Sequence, residues 1–253
     1  MTVVFLAMGL PTTPIRAAIE VAADSGPRVG DVVARGALNG TSSCLFAKTD
    51  GMSLGVGEWL ALRVGTDCSV TVTDAWEGSL TDGPDRFRAI SIDAESGDAT
   101  LPGSVAVTTA TVCKTAQEHF FTYGFAGAAI DKLTHLWSSL TYCYNDSYVW
   151  GSSTAGSGCS GTPEPSWVWV VDWCGVTSQR LYQNTSSVWN QWRGDYHCSV
   201  PASFPCNLSD PDGYYHSLWD QVKASISGHS TCTHWWSGHI VLGPEADIVA
   251  GCV

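Results

Sequence analysis

The chain has 253 residues, enough to bury one large hydrophobic core or two modest ones. Only 14% of residues are charged, and 24 acidic against 12 basic residues give a net charge of −12. That sign repels phosphate backbones and anionic membranes with no basic cluster to offset it, an aromatic content of 11% excludes a disordered chain, and no run approaches the roughly 18 apolar residues of a spanning helix.

Residues 3–10, VVFLAMGL, form a short apolar run, and Val21-Ala22-Ala23 has the small residues of a signal cleavage site. A basic lead is missing, and Pro11, Pro14, Arg16 and Glu20 interrupt the stretch. Residues 1–43 are therefore expected to be a leader or a poorly ordered segment. Gly51-Met52-Ser53-Leu54-Gly55 matches the G-x-S-x-G string of a nucleophile elbow. Neither flank shows the strand-to-helix unit that motif needs, so a glycine turn is expected there. β-type runs follow at 59–65 (WLALRVG), 68–76 (CSVTVTDAW) and 86–94 (RFRAISIDA), with turn residues at 81–84.

Composition changes near residue 118. Five aromatics precede it and twenty-two follow, whereas fourteen of the acidic residues lie in the first 118. Two modules are expected: a small N-terminal β module at 44–107 and a Trp/Cys-rich β module at 108–253, joined by the Ala/Thr/Gly-rich stretch 94–111. The second opens on AQEHFFTYGFAGAAIDKL (116–133), which reads as helical or irregular, with Gly124 and Gly127 weakening a helix. Strand signals then recur at 133–145, 147–151, 166–174, 180–198 and 218–228. Short aromatic and β-branched strands with polar turns predict an all-β fold, an antiparallel sandwich or jelly-roll-like C-terminal module with a smaller N-terminal one.

Ten cysteines stand at Cys44, Cys68, Cys113, Cys143, Cys159, Cys174, Cys198, Cys206, Cys232 and Cys252. Their number is even, their spacing wide, and no C-x-x-C pair occurs. Zinc-ribbon, iron–sulfur and thioredoxin-type sites are disfavoured, and five disulfides in an oxidising compartment are expected, with Cys44–Cys68 and Cys198–Cys206 as neighbour pairings. Secretion is the expected localisation.

In SWVWVVDWC (166–174) alternation puts Trp167, Trp169, Val171 and Trp173 on one face and Asp172 and Cys174 on the other. Burying the tryptophans leaves Asp172 in water, so that face is expected in the core, and Trp167 with Trp169 is kept as a second binding patch. In WNQWRGDYH, residues Trp189, Gln191, Arg193, Asp195 and His197 share one face, opposite Asn190, Trp192 and Tyr196. The first set mixes an indole with donors and acceptors, the vocabulary of sugar recognition. Twelve tryptophans, ten of them between 137 and 236, exceed what a module of that size buries completely, so some rings are expected at a surface or subunit contact.

His229, Cys232, His234 and His239 have metal-ligating chemistry, with His197 and His216 as further candidates. Cys232 is expected in a disulfide, so no metal and no cofactor is assigned. Paired carboxyls for glycoside hydrolysis are sought among Asp172, Asp195, Asp212, Asp220 and Glu164.

The string Trp137-x5-Cys143-Tyr144-Asn145-Asp146-x-x-Val149, then WNQWRGDYHC, then a closing strand near Trp219–Gly228, resembles secreted Trp- and Cys-rich proteins of actinobacterial type. In that group a W-x-Y-N-G-x-x-V hairpin and a final β-strand recur. The likeness covers about residues 130–230, and Asp146 stands where the group has Gly. It implies a secreted, β-rich protein and no particular activity.

The function expected from these residues is a secreted binding protein for polysaccharide or cell-envelope glycan. A self-assembling extracellular structural protein with Trp-rich interfaces, or an extracellular hydrolase, are the alternatives. Nucleic acid is not an expected partner.

Overall fold

The computed structural model describes residues 26–39, 43–82, 111–126, 129–145, 147–161, 169–198, 215–241 and 247–253. In chain order the strands are β1 (Val32–Arg35), β2 (Ala37–Asn39), β3 (Ser43–Phe46), β4 (Met52–Gly55), β5 (Glu58–Val64), β6 (Ser69–Glu77) and β7 (Val112–Ala126). There follow β8 (Ala129–Tyr144), β9 (Val149–Ser153), β10 (Gly158–Ser160), β11 (Trp169–Arg180), β12 (Ser187–Cys198), β13 (Tyr215–Ser225), β14 (Ser230–Val241) and β15 (Asp247–Cys252). One 3-10 turn, Leu80–Asp82, follows β6. The fold is all-β, and two antiparallel sheets pack face to face as a sandwich.

Sheet 1 runs β1-β6-β5-β15-β7-β8-β10, and β9 also pairs with β8. Sheet 2 runs β11-β12-β13-β14-β3-β2, and β4 also pairs with β14. The expected boundary at 107/108 does not divide the core. β15, at the C-terminal end, lies between β5 and β7, while β3 and β4 pair with β14. One continuous cluster joins Cys44, Leu62 and Val72 to Phe120, Leu218, Trp236 and Ile248. Neither half closes its own sheets, because each supplies neighbours to the other's unpaired edges. The segment expected to be poorly ordered also contains two strands. β1 pairs with β6, β2 pairs with β3, and Val33 and Ala34 pack against the core. Residues 1–25 and the run 86–94 lie outside the described residues.

The stretch 116–133, ambiguous in sequence, belongs to the long β7–β8 hairpin. Ala116, Glu118, Phe120 and Thr122 face sheet 2, while Phe121 and Tyr123 meet a second cluster with Trp59, Ala61, Leu80 and Val249 on the outer face of sheet 1. Apolar residues on both faces erase the two-residue alternation that marks a half-buried strand. Among the described residues sheet 2 is packed on one face only, and there the alternation reads cleanly.

Three bridges tie sheet to sheet: Cys44 of β3 to Cys68 before β6, Cys159 of β10 to Cys174 of β11, and Cys232 of β14 to Cys252 of β15. A fourth, Cys113–Cys143, joins directly opposed residues of β7 and β8. The expected Cys44–Cys68 pairing is present. Cys198 is also bridged, and its expected partner Cys206 lies outside the described residues. Each bridge contributes about 2–4 kcal/mol, chiefly by restricting the unfolded chain. Disulfides of this number persist in an oxidising environment. Among the described residues no helix is long and apolar enough to cross a membrane.

Hydrogen bonds cross the sandwich as well. Tyr196 donates its hydroxyl to the His135 carbonyl (2.7 Å), Asn190 Nδ2 donates to the Ser139 carbonyl (3.1 Å), and Tyr142 donates to the Gly228 carbonyl (2.9 Å). Trp236, buried, meets Phe46 and Phe120 edge-on at centroid distances of 6.2 and 6.0 Å.

The strand from SWVWVVDWC departs from simple alternation. Trp169 is buried and Val171 packs on the core as expected, with Asp172 exposed. Trp173 is 43% exposed, contrary to the expectation. The register shifts between Val171 and Trp173, and the extra residue of that bulge, Asp172, re-aims the next side chain. Trp167 lies outside the described residues.

Candidate functional site

β12, β13 and β14 lie side by side, and their outward residues form cross-strand rows. Trp189 lies opposite Lys223, which lies opposite Thr231. The next row is Gln191, Gln221, Thr233 and, on β4, Ser53. Then come Arg193, Trp219 and Trp235; then Asp195, Ser217 and Ser237; and at the margin His197 with Tyr215. All five residues predicted on one face of WNQWRGDYH share this outer face, while Asn190 and Tyr196 are buried and Trp192 packs partly against the core.

The rows are tied laterally. Arg193 Nε and Ser217 Oγ each donate to Asp195 Oδ1 at 2.6 Å. Gln221 Nε2 donates to Gln191 Oε1 at 3.2 Å, and the Ser53 and Thr233 hydroxyls bond at 2.9 Å. Trp189 Nε1 donates to Ser178 Oγ at 3.2 Å, and His197 Nδ1 meets Asp172 Oδ1 at 2.6 Å. Cations sit over the indoles: Arg180 lies 4.2 Å from the Trp189 ring centroid, Arg193 lies 5.0 Å from Trp219, and Lys48 lies 4.8 Å from Trp219 and 5.6 Å from Trp235. Such contacts hold a cation in place by the ring quadrupole, at about 0.5–1 kcal/mol when exposed.

Three indoles, Trp189, Trp219 and Trp235, thus come from three consecutive strands. The sequence reading found the first and missed the other two, together with Lys48 and Arg180. Their signal was present in Ser217-x-Trp219-x-Gln221-x-Lys223 and Thr231-x-Thr233-x-Trp235, which alternate like the strand that was found.

The other predicted groups are dispersed. Trp169 is buried and packs on His216 at a centroid distance of 4.3 Å, so it presents no surface to a ligand. Ser53 is no elbow nucleophile: it lies in β4 against Thr233. Gly51 is needed for another reason, since a Cβ there would stand 2.6 Å from Trp235 Nε1. On β14, Cys232 is bridged, His229 is exposed in the preceding turn, His234 points into the core, and His239 sits at 2.9 Å from Asn39 Nδ2. These groups do not converge. Glu164 and Asp212 lie outside the described residues.

Asp220, a candidate acid, is fully buried between the sheets. It accepts the Trp192 backbone N–H at 3.2 Å, beside Glu118 of β7, which contacts His234 Nδ1 and accepts from Ser138 Oγ at 3.5 Å. Burial pushes Glu118 well above the usual carboxylate range, with the Asp220 carboxyl adding to the shift. Asp220 is itself pushed up to about 6 by burial. Burial pushes His234 and His216 down to about 3 and His119 down to about 4, with His135 also well below its ordinary value. His216 meets Thr134 Oγ1 at 3.0 Å, and His119 meets His135 at 3.1 Å. Glu118, Asp220, His234 and His216 form a polar seam between the sheets, whereas His119 and His135 stack with Trp59 and Phe121 on the outer face of sheet 1.

No protein-family model, curated protein or solved structure matches the chain.

Proposed function

We propose that the protein is a secreted binding protein that recognises polysaccharide or cell-envelope glycan on the outer face of sheet 2. The observation that carries this is the set of rows described above. Three indoles from adjacent strands flank paired amides and hydroxyls, Gln191 with Gln221 and Thr233 with Ser53. Sugars offer an apolar C–H face and a rim of hydroxyls, and a surface suited to them needs aromatic area next to fixed donors and acceptors. The cross-strand bonds fix those polar groups before any ligand arrives, which lowers the ordering cost of binding. The four bridges among the described residues, with Cys198 bridged as well, suit an extracellular setting.

The test is retention on a panel of insoluble and gel-embedded polysaccharides, comparing the intact chain with Trp219→Ala, Trp235→Ala and Trp189→Ala. Retention weakened about tenfold or more in these variants, with thermal midpoints near that of the parent, supports the reading. Retention that survives all three substitutions, or no retention by any polysaccharide, refutes it.

A second reading rests on β11, the last strand of sheet 2 among the described residues, where Val170, Trp173 and Val176 are exposed. An edge with exposed apolar side chains is suited to pairing with another copy. Light scattering over a wide concentration range tests it, and a constant monomer mass removes it.

A further inference from the structure

We propose that the glycan taken by the outer face of sheet 2 is anionic, a polysaccharide bearing carboxylates on its sugars; this rests on the glycan reading above. The chain carries −12 overall, with twelve basic residues in all. Four of those twelve, Lys48, Arg180, Arg193 and Lys223, gather on this one face. The acids nearby are few. Asp195 is neutralised by Arg193 and Asp172 faces His197; among the described residues Asp50 in the Lys48 loop and Glu58, which accepts the Gly55 backbone N–H at 2.6 Å, stand at the margin.

Lys48, Arg180 and Lys223 make no ion pair among the described residues. Lys48 and Arg180 are held instead by indole faces, which attract a cation without cancelling its charge. A neutral sugar has no use for that arrangement, and a carboxylate does. Lys223 is exposed and lies four residues along β13 from Trp219, the ring beneath Lys48, a separation of about 13 Å along the strand. Charges so spaced suit carboxylates on separate sugars rather than one compact anion. Between them lie Gln191, Gln221 and Thr233, placed for hydroxyls. The acidic remainder of the surface repels a polyanion and so directs it to this face. Nucleic acid shares the negative charge but lacks the hydroxyl density these rows address.

The experiment is affinity electrophoresis of the full chain through gels containing polygalacturonate or alginate, and through fully methyl-esterified polygalacturonate. Single-stranded DNA serves as a competing polyanion. The expected result is retardation by a polyuronate at least tenfold stronger than by the neutral ester. The double variant Lys48→Gln with Lys223→Gln should lose that retardation about tenfold, with an unchanged thermal midpoint. Equal retardation by acid and ester, insensitive to the two lysines, overturns the charge inference and leaves the glycan reading standing. No retardation by these or by the neutral panel overturns both. Competition by DNA as strong as by free polyuronate overturns the assignment to a saccharide.

Discussion

Stability should rise with pH through the mildly acidic range and fall again above neutrality, because of ionisable groups buried between the sheets and on the outer face of sheet 1. Four buried histidines, His119, His135, His216 and His234, have pKa values lowered from an ordinary 6.5. A lowered imidazole gives stability that is present above its unfolded value and lost as pH falls towards its folded one. Two buried carboxyls, Glu118 and Asp220, are raised from 4.5 and 3.8. A raised carboxyl gives stability present below its unfolded value and lost as pH rises through its folded one. Between about pH 4.5 and 6 the unfolded chain therefore binds four protons that the folded protein does not, and the folded protein retains two that the unfolded chain releases. The unfolded state holds two more, and at about 1.4 kcal/mol per proton per pH unit the slope is at most about 2.7 kcal/mol per pH unit.

A proton exchanged within the Glu118–His234 contact leaves that count unchanged. Above about pH 7 the histidines are largely neutral in both states, and the carboxyl pair must release what it still holds, so the slope changes sign. Urea unfolding followed by tryptophan fluorescence, with disulfides intact and pH stepped from 4.5 to 8, measures this directly. Stability that is flat or falling between pH 4.5 and 6 would falsify the reasoning. Glu118→Gln removes one opposing proton, so its acid-side slope steepens and the fall above neutrality weakens.

Replacing Cys232 and Cys252 together by Ala opens a bridge with a sequence separation of 20 between the two sheets, and the expected loss is about 3 kcal/mol in urea unfolding. A midpoint equal to the parent's would show that the sheets hold together without it. Gly251→Ala places a Cβ 2.1 Å from the ring of Trp59, which is itself buried, and overpacking of this kind costs about 1–3 kcal/mol. A thermal midpoint unchanged by that substitution would mean that β15 shifts freely beneath the indole.

The sequence by itself determined the fold class, the stapling by disulfides and the outward face of β12. Those follow from local signals: alternation on a sheet covered on one side, turn residues, and an even set of widely spaced cysteines. The face of WNQWRGDYH was legible because sheet 2 has solvent on its far side, so Trp189, Gln191 and Arg193 differ visibly from Asn190 and Tyr196. Tertiary structure alone decided the rest. β7 and β8 are covered on both faces, which removed the alternation and hid a long hairpin. The bulge at Asp172 turned Trp173 outward against its neighbours' pattern. The module boundary dissolved because strand partners are chosen across the whole chain, β15 beside β5 and β14 beside β3 and β4. The candidate site was one-third visible for the same reason. Each strand turns one indole outward with its polar neighbours, but only strand pairing sets Trp189, Trp219 and Trp235 on one face and brings Lys48 over two of them.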